Sequence, residues 1–218
     1  QSLGLGIEKW KGQIVSILVD ELHPRGIYER DDVPVRRLEG MEQVTGLLYG
    51  EVPDRVEMTE NGVRYLVDVK NGQKTGFFLD QKENRAAIAP LCPGARVLDC
   101  FCHNGSFALN AAKYGAADVL GVVDEVNLPL GCLRVRASGS AGGHNGLKSI
   151  IERLGSVEFP GLRLGVGEPG LSGDLTGYVL GSFTPDQRDA LDKMITCAVD
   201  AALCWISEGV SAAMNKFN

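Results

Sequence analysis

VLGVVDEVNL, residues 119–128, is where the reading of this 218-residue chain turns. To its left, RVLDCF (96–101), a glycine-containing turn, SFALNAAKY (106–114) and DVLGVV (118–123) alternate as buried strand, helix and buried strand. That rhythm implies parallel strands joined by a right-handed crossover. To its right the rhythm changes. CLRVRAS (132–138) reads as a strand and leads into the glycine-rich GSAGGHNG (139–146), a helix at 147–154 and a second strand, GLRLGVG (161–167). Asp124 belongs to both patterns.

Farther out, residues 7–22 place Ile7, Trp10, Ile14, Ile17, Leu18 and Leu22 at helical spacing, which predicts an amphipathic helix. His23-Pro24 and Arg25-Gly26 stop it. Between 44 and 80 the runs TGLLYGEV, VEMTE, VRYLVDV and TGFFLD are strand-like, and Asn61-Gly62 and Asn71-Gly72 supply turns, so antiparallel hairpins are expected. Residues 81–90 read as helical. Near the end, Thr184, Pro185 and Gln187 form a capping box, after which Leu191, Ile195, Val199, Ala202, Ile206 and Val210 keep one apolar helical face. The fold class is therefore α/β: a hairpin-rich α+β segment, then a mixed, partly parallel sheet with flanking helices and a long C-terminal helix. The expected divisions are 1–90, 91–123 and 124–218.

Hydrophobic residues make up 44% and charged residues 23%, ordinary for a globular protein. No apolar run approaches the roughly 20 residues that span a bilayer, so no membrane partner is expected. The chain opens on Gln1 without a signal peptide, as expected of a cut piece with sequence missing upstream. Its six cysteines (92, 100, 102, 132, 197 and 204) have no paired CxxC spacing. They read as small buried hydrophobes of a reducing cytosol rather than metal ligands, so no metal is expected. A net charge of −6 excludes indiscriminate nucleic-acid coating. Between 132 and 167, however, Arg134, Arg136, Lys148, Arg153 and Arg163 stand against only Glu152 and Glu158, a local basic patch.

VLDCFCHNGSF (97–107) carries chemistry in its layout. A strand ends near Asp99, Gly105 permits close approach of backbone to a ligand, and a helix N-terminus follows. An acidic residue after the next strand, here Asp124, can hold a ribose hydroxyl pair. The longer strings QKTGFFLDQKENR (73–85) and VLDCFCHNGSFALNAAKYGA (97–116), with EKWK (8–11), GIYERDDVPVR (26–36) and TGLLYGEVP (45–53), closely resemble the class I S-adenosylmethionine-dependent methyltransferases that modify cytosine C5 in large-subunit ribosomal RNA. The resemblance covers about residues 1–122. It implies S-adenosylmethionine as cofactor, rRNA as partner, and a cofactor site bordered by Thr75, Phe77, Asp99, Phe101, Gly105 and Asp124. The family reads Gly-Val-Asp where this chain has Gly121-Val122-Val123-Asp124. The family's Asp-Pro-Pro motif and nucleophilic cysteine fall beyond the junction and are absent, and Cys100 and Cys102 match the cofactor motif rather than the nucleophile.

From about residue 119 the chain is similar to bacterial peptidyl-tRNA hydrolase, through VVDEVNLPLGCLRVRASGSAGGHNGLKSIIERLG (122–155), FPGLRLGVGEP (159–169), YVLGSFTPDQ (178–187) and AMNKFN (213–218). That family cleaves the ester joining peptide to tRNA. A histidine base activates water, an aspartate orients the histidine, and asparagines place the substrate. The resemblance implies Asp124 as the orienting acid and Asn145, beside His144, as a substrate contact. It implies Arg136, Lys148 and Arg163 as grips on the tRNA 5′ phosphate, a salt-dependent role. The family's catalytic histidine lies in a Gly-Asn-Pro-Gly neighbourhood that this chain replaces with methyltransferase-like sequence. His103, which follows strand 96–101, is the one candidate substitute facing Asp124.

Three readings follow: a fusion of two truncated RNA-acting enzymes with little or no catalysis, a residual S-adenosylmethionine- or tRNA-binding module, or a peptidyl-tRNA hydrolase with a substitute base. A cytoplasmic location is expected in each. Because each half lacks elements that cover its sheet in the parent family, exposed apolar surface is also expected.

Overall fold

The computed structural model describes residues 1–142, 145–168, 175–179 and 181–218, without the side chains of 145, 146, 153, 175 and 176. The chain divides into two compact units, Gln1–Glu60 with Arg64–Gln81, and Asn61–Val63 with Lys82–Asn218. No helix among the described residues is long and apolar enough to cross a membrane.

The first unit opens with α1 (Leu5–Leu22), which His23 ends in a left-handed conformation by donating its N–H to Val19 O. β1 (Gly26–Asp31) and β2 (Val44–Gly50) pair antiparallel, with a bulge between Ile27 and Tyr28. β3 (Val56–Glu60) and β4 (Val63–Val67) form the hairpin expected of Asn61-Gly62, whose φ angles of 51° and 70° both lie in the left-handed region that a tight two-residue turn demands. Two expectations change. β2 pairs with β1, which the sequence patterns did not mark as a strand, and TGFFLD is not a strand. Asp68 accounts for the second. Its Oδ1 accepts the N–H groups of Lys70 (3.1 Å) and Asn71 (2.7 Å), and its carbonyl accepts that of Gly72. The backbone is thereby curled into a loop instead of a ladder, and Phe77 packs its ring on Tyr65 at 4.9 Å.

α1 is held by charge rather than by its apolar stripe, and none of its residues is buried. Arg36, almost fully enclosed, donates Nη1 to Asp31 (3.0 Å), to Glu8 (2.9 Å) and to the Ser2 carbonyl. Lys11 bridges Glu8 (2.6 Å) and Glu29 (2.7 Å). The guanidinium and ammonium bonds hold the Glu8 carboxyl below its ordinary range. Glu8, Glu29 and Asp31 converge, and each is paired with Lys11 or Arg36. Trp10, Ile17 and Leu22 point outward, the reverse of the expected burial.

In the second unit α2 (Lys82–Ala87), β5 (Arg96–Cys100), α3 (Ser106–Lys113), β6 (Asp118–Pro129), β7 (Leu133–Arg136), α4 (Asn145–Leu154), β8 (Gly161–Gly167), α5 (Leu175–Val179), α6 (Arg188–Glu208) and α7 (Val210–Phe217) follow in order. The sheet order is β5-β6-β8-β7; the first three strands are parallel and β7 runs antiparallel to β8. The fold class read from the sequence is thus observed. β6 is longer than its expected 118–123. It runs unbroken through Asp124, which pairs with Leu164 of β8, so that residue stands within a strand rather than after one.

Alternation along β6 sends its side chains to two separate cores. Val119 packs with Cys92, Ala108 and Ala111, under α3. Leu120 and Val122 pack with Leu162, Met194, Ala198, Ala201 and Trp205, under α6 and α7. Both faces of the sheet are covered, and the exposed apolar surface lies elsewhere, on the outer face of α6 at Ile195, Val199, Leu203 and Ile206. The expected apolar face of α6 is rotated. Met194, Ala198, Ala201, Ala202 and Trp205 are inside, whereas Ile195, Val199 and Ile206 are exposed. Small side chains let the helix approach the sheet closely, and the indole fills the remaining depth, its N–H reaching Asp118 Oδ2 at 3.0 Å. Arg96 of β5 donates to the carbonyls of Trp205 (3.1 Å) and Ile206.

Candidate functional site

The residues expected to border a cofactor fall in both units, and each unit shows its own part. In the first, Thr75 is exposed, its hydroxyl turned back onto the Phe77 carbonyl (3.2 Å), and Phe77 is buried. In the second, β5 ends in a turn where Phe101 (φ 59°), His103 (φ 47°) and Gly105 (φ 72°) are all left-handed. Phe101 is exposed and His103 half-buried. Asp99 is buried, and its Oδ2 accepts the N–H of Ala108 (2.9 Å) in the first turn of α3. One of that helix's otherwise unpaired donors is thus satisfied internally. Burial pushes the Asp99 carboxyl up despite that bond.

Gly105 should leave open backbone for a ligand. Instead a Cβ built there would lie 2.5 Å from Ile150 Cδ1 of α4, so the space is filled by the chain itself. Gly121, next along, faces the Phe159 ring, where a Cβ would meet Cε1 at 2.8 Å. On the side where a Cβ would project, this turn is therefore packed by Ile150 and Phe159 rather than open to a ligand.

The same turn buries Cys102. Burial, with the nearby charges of Asp99 and Asp124, pushes its thiol up to about 12. The folded state holds that proton more tightly than the unfolded chain. Its stabilising effect is therefore full below the unfolded thiol's range and is lost as pH climbs through about 12. A protonated, buried thiol is a poor nucleophile. Iodoacetamide treatment of the folded protein at about pH 8, read by mass spectrometry, is expected to modify exposed Cys132 and leave Cys102 and Cys92 intact.

The second expected constellation gathers around β6, β7 and β8. Arg134 and Arg163 are register partners on neighbouring strands, and Arg136 follows on the same face of β7. Arg136 and Arg163 line one small cavity with Ser138, Gly139, Leu147 and Phe159. Lys148 is exposed in the first turn of α4. Arg163 differs from the other cations. Its Nη1 is bound to buried Glu125 at 2.8 Å and its Nη2 to the Ser140 carbonyl. Glu125 also accepts from Asn127 Nδ2 (2.8 Å), which donates in turn to the Gly142 carbonyl (3.0 Å). The glycine-rich loop is braced to the sheet by this network, and the charge of Arg163 is neutralised. Arg134, Arg136 and Lys148 are exposed and make no hydrogen bond or ion pair among the described residues. Asp124 is half-buried. His144 and the side chain of Asn145 lie outside the described residues.

Sequence reasoning missed Glu125, Asn127 and Ile150. Glu125 and Arg163 are 38 residues apart, and only the β6–β8 register brings them together. The sequence offered no signal for this, because the expected strand ends at Val123, whereas in the structure β6 continues and sets Glu125 on the same side as Val123.

A family model described as peptidyl-tRNA hydrolase matches residues 105–218, and one described as S-adenosylmethionine-dependent methyltransferase matches residues 36–159. The two overlap across 105–159. A peptidyl-tRNA hydrolase of Synechococcus sp. (strain JA-3-3Ab) is 56% identical over 106 residues, 49% of this chain and 47% of its own length. A ribosomal RNA large subunit methyltransferase I of Shewanella amazonensis is 47% identical over 120 residues, 55% of this chain and 30% of its own. The chain thus spans less than half of either relative. A methyltransferase solved in complex with SAH shares the fold over 75% of this chain and 37% of its own, with a TM-score of 0.51 and 23% identity.

Proposed function

We propose, for a chain that belongs to the peptidyl-tRNA hydrolase family over residues 105–218 and to the S-adenosylmethionine-dependent methyltransferase family over residues 36–159, that it binds the acceptor end of tRNA without cleaving the peptidyl ester. The observation that supports this reading is the trio of exposed cations Arg134, Arg136 and Lys148, which have no hydrogen-bond or ion-pair partner among the described residues, beside the braced glycine-rich loop. Phosphate contacts need such free charge, because each releases counterions from the nucleic acid. Arg163 acts through Glu125 as a brace, and the resemblance to the hydrolase assigns His144 and Asn145 to the peptidyl end of the substrate. The stretch that carries the catalytic histidine in the hydrolase family is replaced here by methyltransferase-like sequence. Without a general base, hydrolysis falls by roughly 10²–10⁴-fold. The reading assigns no methyl transfer to this chain, whose sequence carries neither the base-gripping motif nor the nucleophile of that family. The reading places the protein in the cytoplasm, where tRNA is handled.

Binding of peptidyl-tRNA to the whole chain, measured across a salt series, tests the reading. Arg136→Ala and Lys148→Ala are each expected to weaken binding and to lower the slope of log affinity against log salt by about 1. Slopes that stay at the wild-type value sink the assignment. Ester cleavage followed in the same samples is expected to be absent.

A second reading has one observation behind it. The β5–β6 register pairs Cys100 with Val122, and Phe101 N–H donates to Val122 O at 2.9 Å, so the turn carrying His103 leaves the sheet beside Asp124. Cleavage that disappears in His103→Ala would establish His103 as a substitute base and replace the binding-only reading.

A further inference from the structure

We infer that α4 seals the glycine turn, with Ile150 as the plug, so that the folded chain does not take S-adenosylmethionine at Gly105. The turn keeps the conformation of a ligand-approaching backbone: Gly105 caps α3 with φ 72°, and no side chain of its own stands in the way. What approaches it is Ile150, wholly buried (0% exposed), whose Cδ1 would lie 2.5 Å from a Cβ on Gly105 and whose Cγ1 would lie closer still. Phe159 closes the adjoining Gly121 in the same manner. One oxygen of Asp99 is also taken up inside the chain, since its Oδ2 accepts the Ala108 N–H of α3. Ile150 and Phe159 stand in the stretches that resemble the hydrolase, and Gly105 in the one that resembles the methyltransferase.

The apolar plug and the cofactor require the same volume, and close-packed interiors do not hold both. For a ligand to reach Gly105, α4 must leave the sheet and expose Leu147 and Ile150, which are now buried. The glycine turn therefore serves as a packing surface for a helix. This inference is independent of the tRNA reading, whose test acts on Arg136 and Lys148.

Calorimetric titration of the full chain with S-adenosylmethionine tests it, alongside Ile150→Ala and Ile150→Val. The valine variant removes one methyl and keeps most of the packing, and near-ultraviolet circular dichroism checks that each variant retains its fold. Wild-type protein is expected to give no saturable heat at millimolar ligand. Ile150→Ala is expected to bind about tenfold or more tighter than wild type, with Ile150→Val between them. Wild-type binding as tight as that of the alanine variant overturns the inference. Absence of binding from both variants also overturns it, because Ile150 is then not what excludes the ligand.

Discussion

Trp205→Ala is expected to destabilise the second unit by about 3–5 kcal/mol, the range for deleting a buried tryptophan from a close-packed core. The indole is fully enclosed, packs in the core formed with Leu120, Val122 and Leu162, and donates to Asp118. Its removal leaves a cavity between α6 and the sheet and takes a partner from the Asp118 carboxylate, whose other oxygen still accepts the Val119 N–H at 2.9 Å. The chain has two tryptophans, and Trp10 lies in the first unit, so far-ultraviolet circular dichroism in a denaturant series is the appropriate readout. A loss below about 1 kcal/mol, the level of a routine surface substitution, would mean that α6 does not hold the sheet as described. The bond to Asp118 gives this result a meaning beyond packing. Trp205 lies in the stretch matched only by the hydrolase family and Asp118 in the stretch matched by both families, so the variant measures how strongly the C-terminal helix stabilises the shared sheet.

Asp31→Ala is expected to destabilise the first unit by about 3 kcal/mol, since removing one member of an enclosed, hydrogen-bonded ion pair strands the other. Asp31 is entirely enclosed, accepts Ser2 N–H at 2.6 Å and pairs with Arg36 at 3.0 Å. With it gone, Arg36 retains only Glu8 and backbone carbonyls, and the N-terminal residues lose their tether. Hydrogen exchange is expected to accelerate in α1, β1 and β2 while the β5–β8 sheet keeps its protection. Faster exchange spread evenly through both units would contradict the division of the chain into two compact bodies. Asp31→Asn, which keeps the shape and one acceptor, is expected to lose less.

What was legible beforehand has a common character. The hairpin at Asn61-Gly62, the capping box at Thr184 and the strand–helix–strand of 96–123 are all dictated by neighbours within a few residues, through turn chemistry or periodicity. What was not legible depends on distant partners. GIYERD alternates too weakly to announce β1, which exists because β2 pairs with it. TGFFLD has the composition of a strand, but Asp68 bends the chain seven residues earlier. The apolar residues of α6 allow more than one buried face, and the choice falls to the face whose alanines let Trp205 reach the sheet. At the candidate site the cationic residue types were readable, but their availability was not. Arg136 and Arg163 look equivalent along the chain, and only the position of Glu125 separates a free charge from a neutralised one.

β6 carries a further consequence. Proteins are commonly joined at exposed linkers, where each side keeps its own core and can fail alone. Here the region where the two family matches overlap includes an interior strand, bonded to β5 along one edge and to β8 along the other. Neither portion of the second unit can release this strand without exposing the other's hydrophobic residues. The joint is consequently a poor site for proteolysis or for splitting the gene, and the second unit should melt as one body. The two family matches, which overlap across residues 105–159, share a single unfolding event.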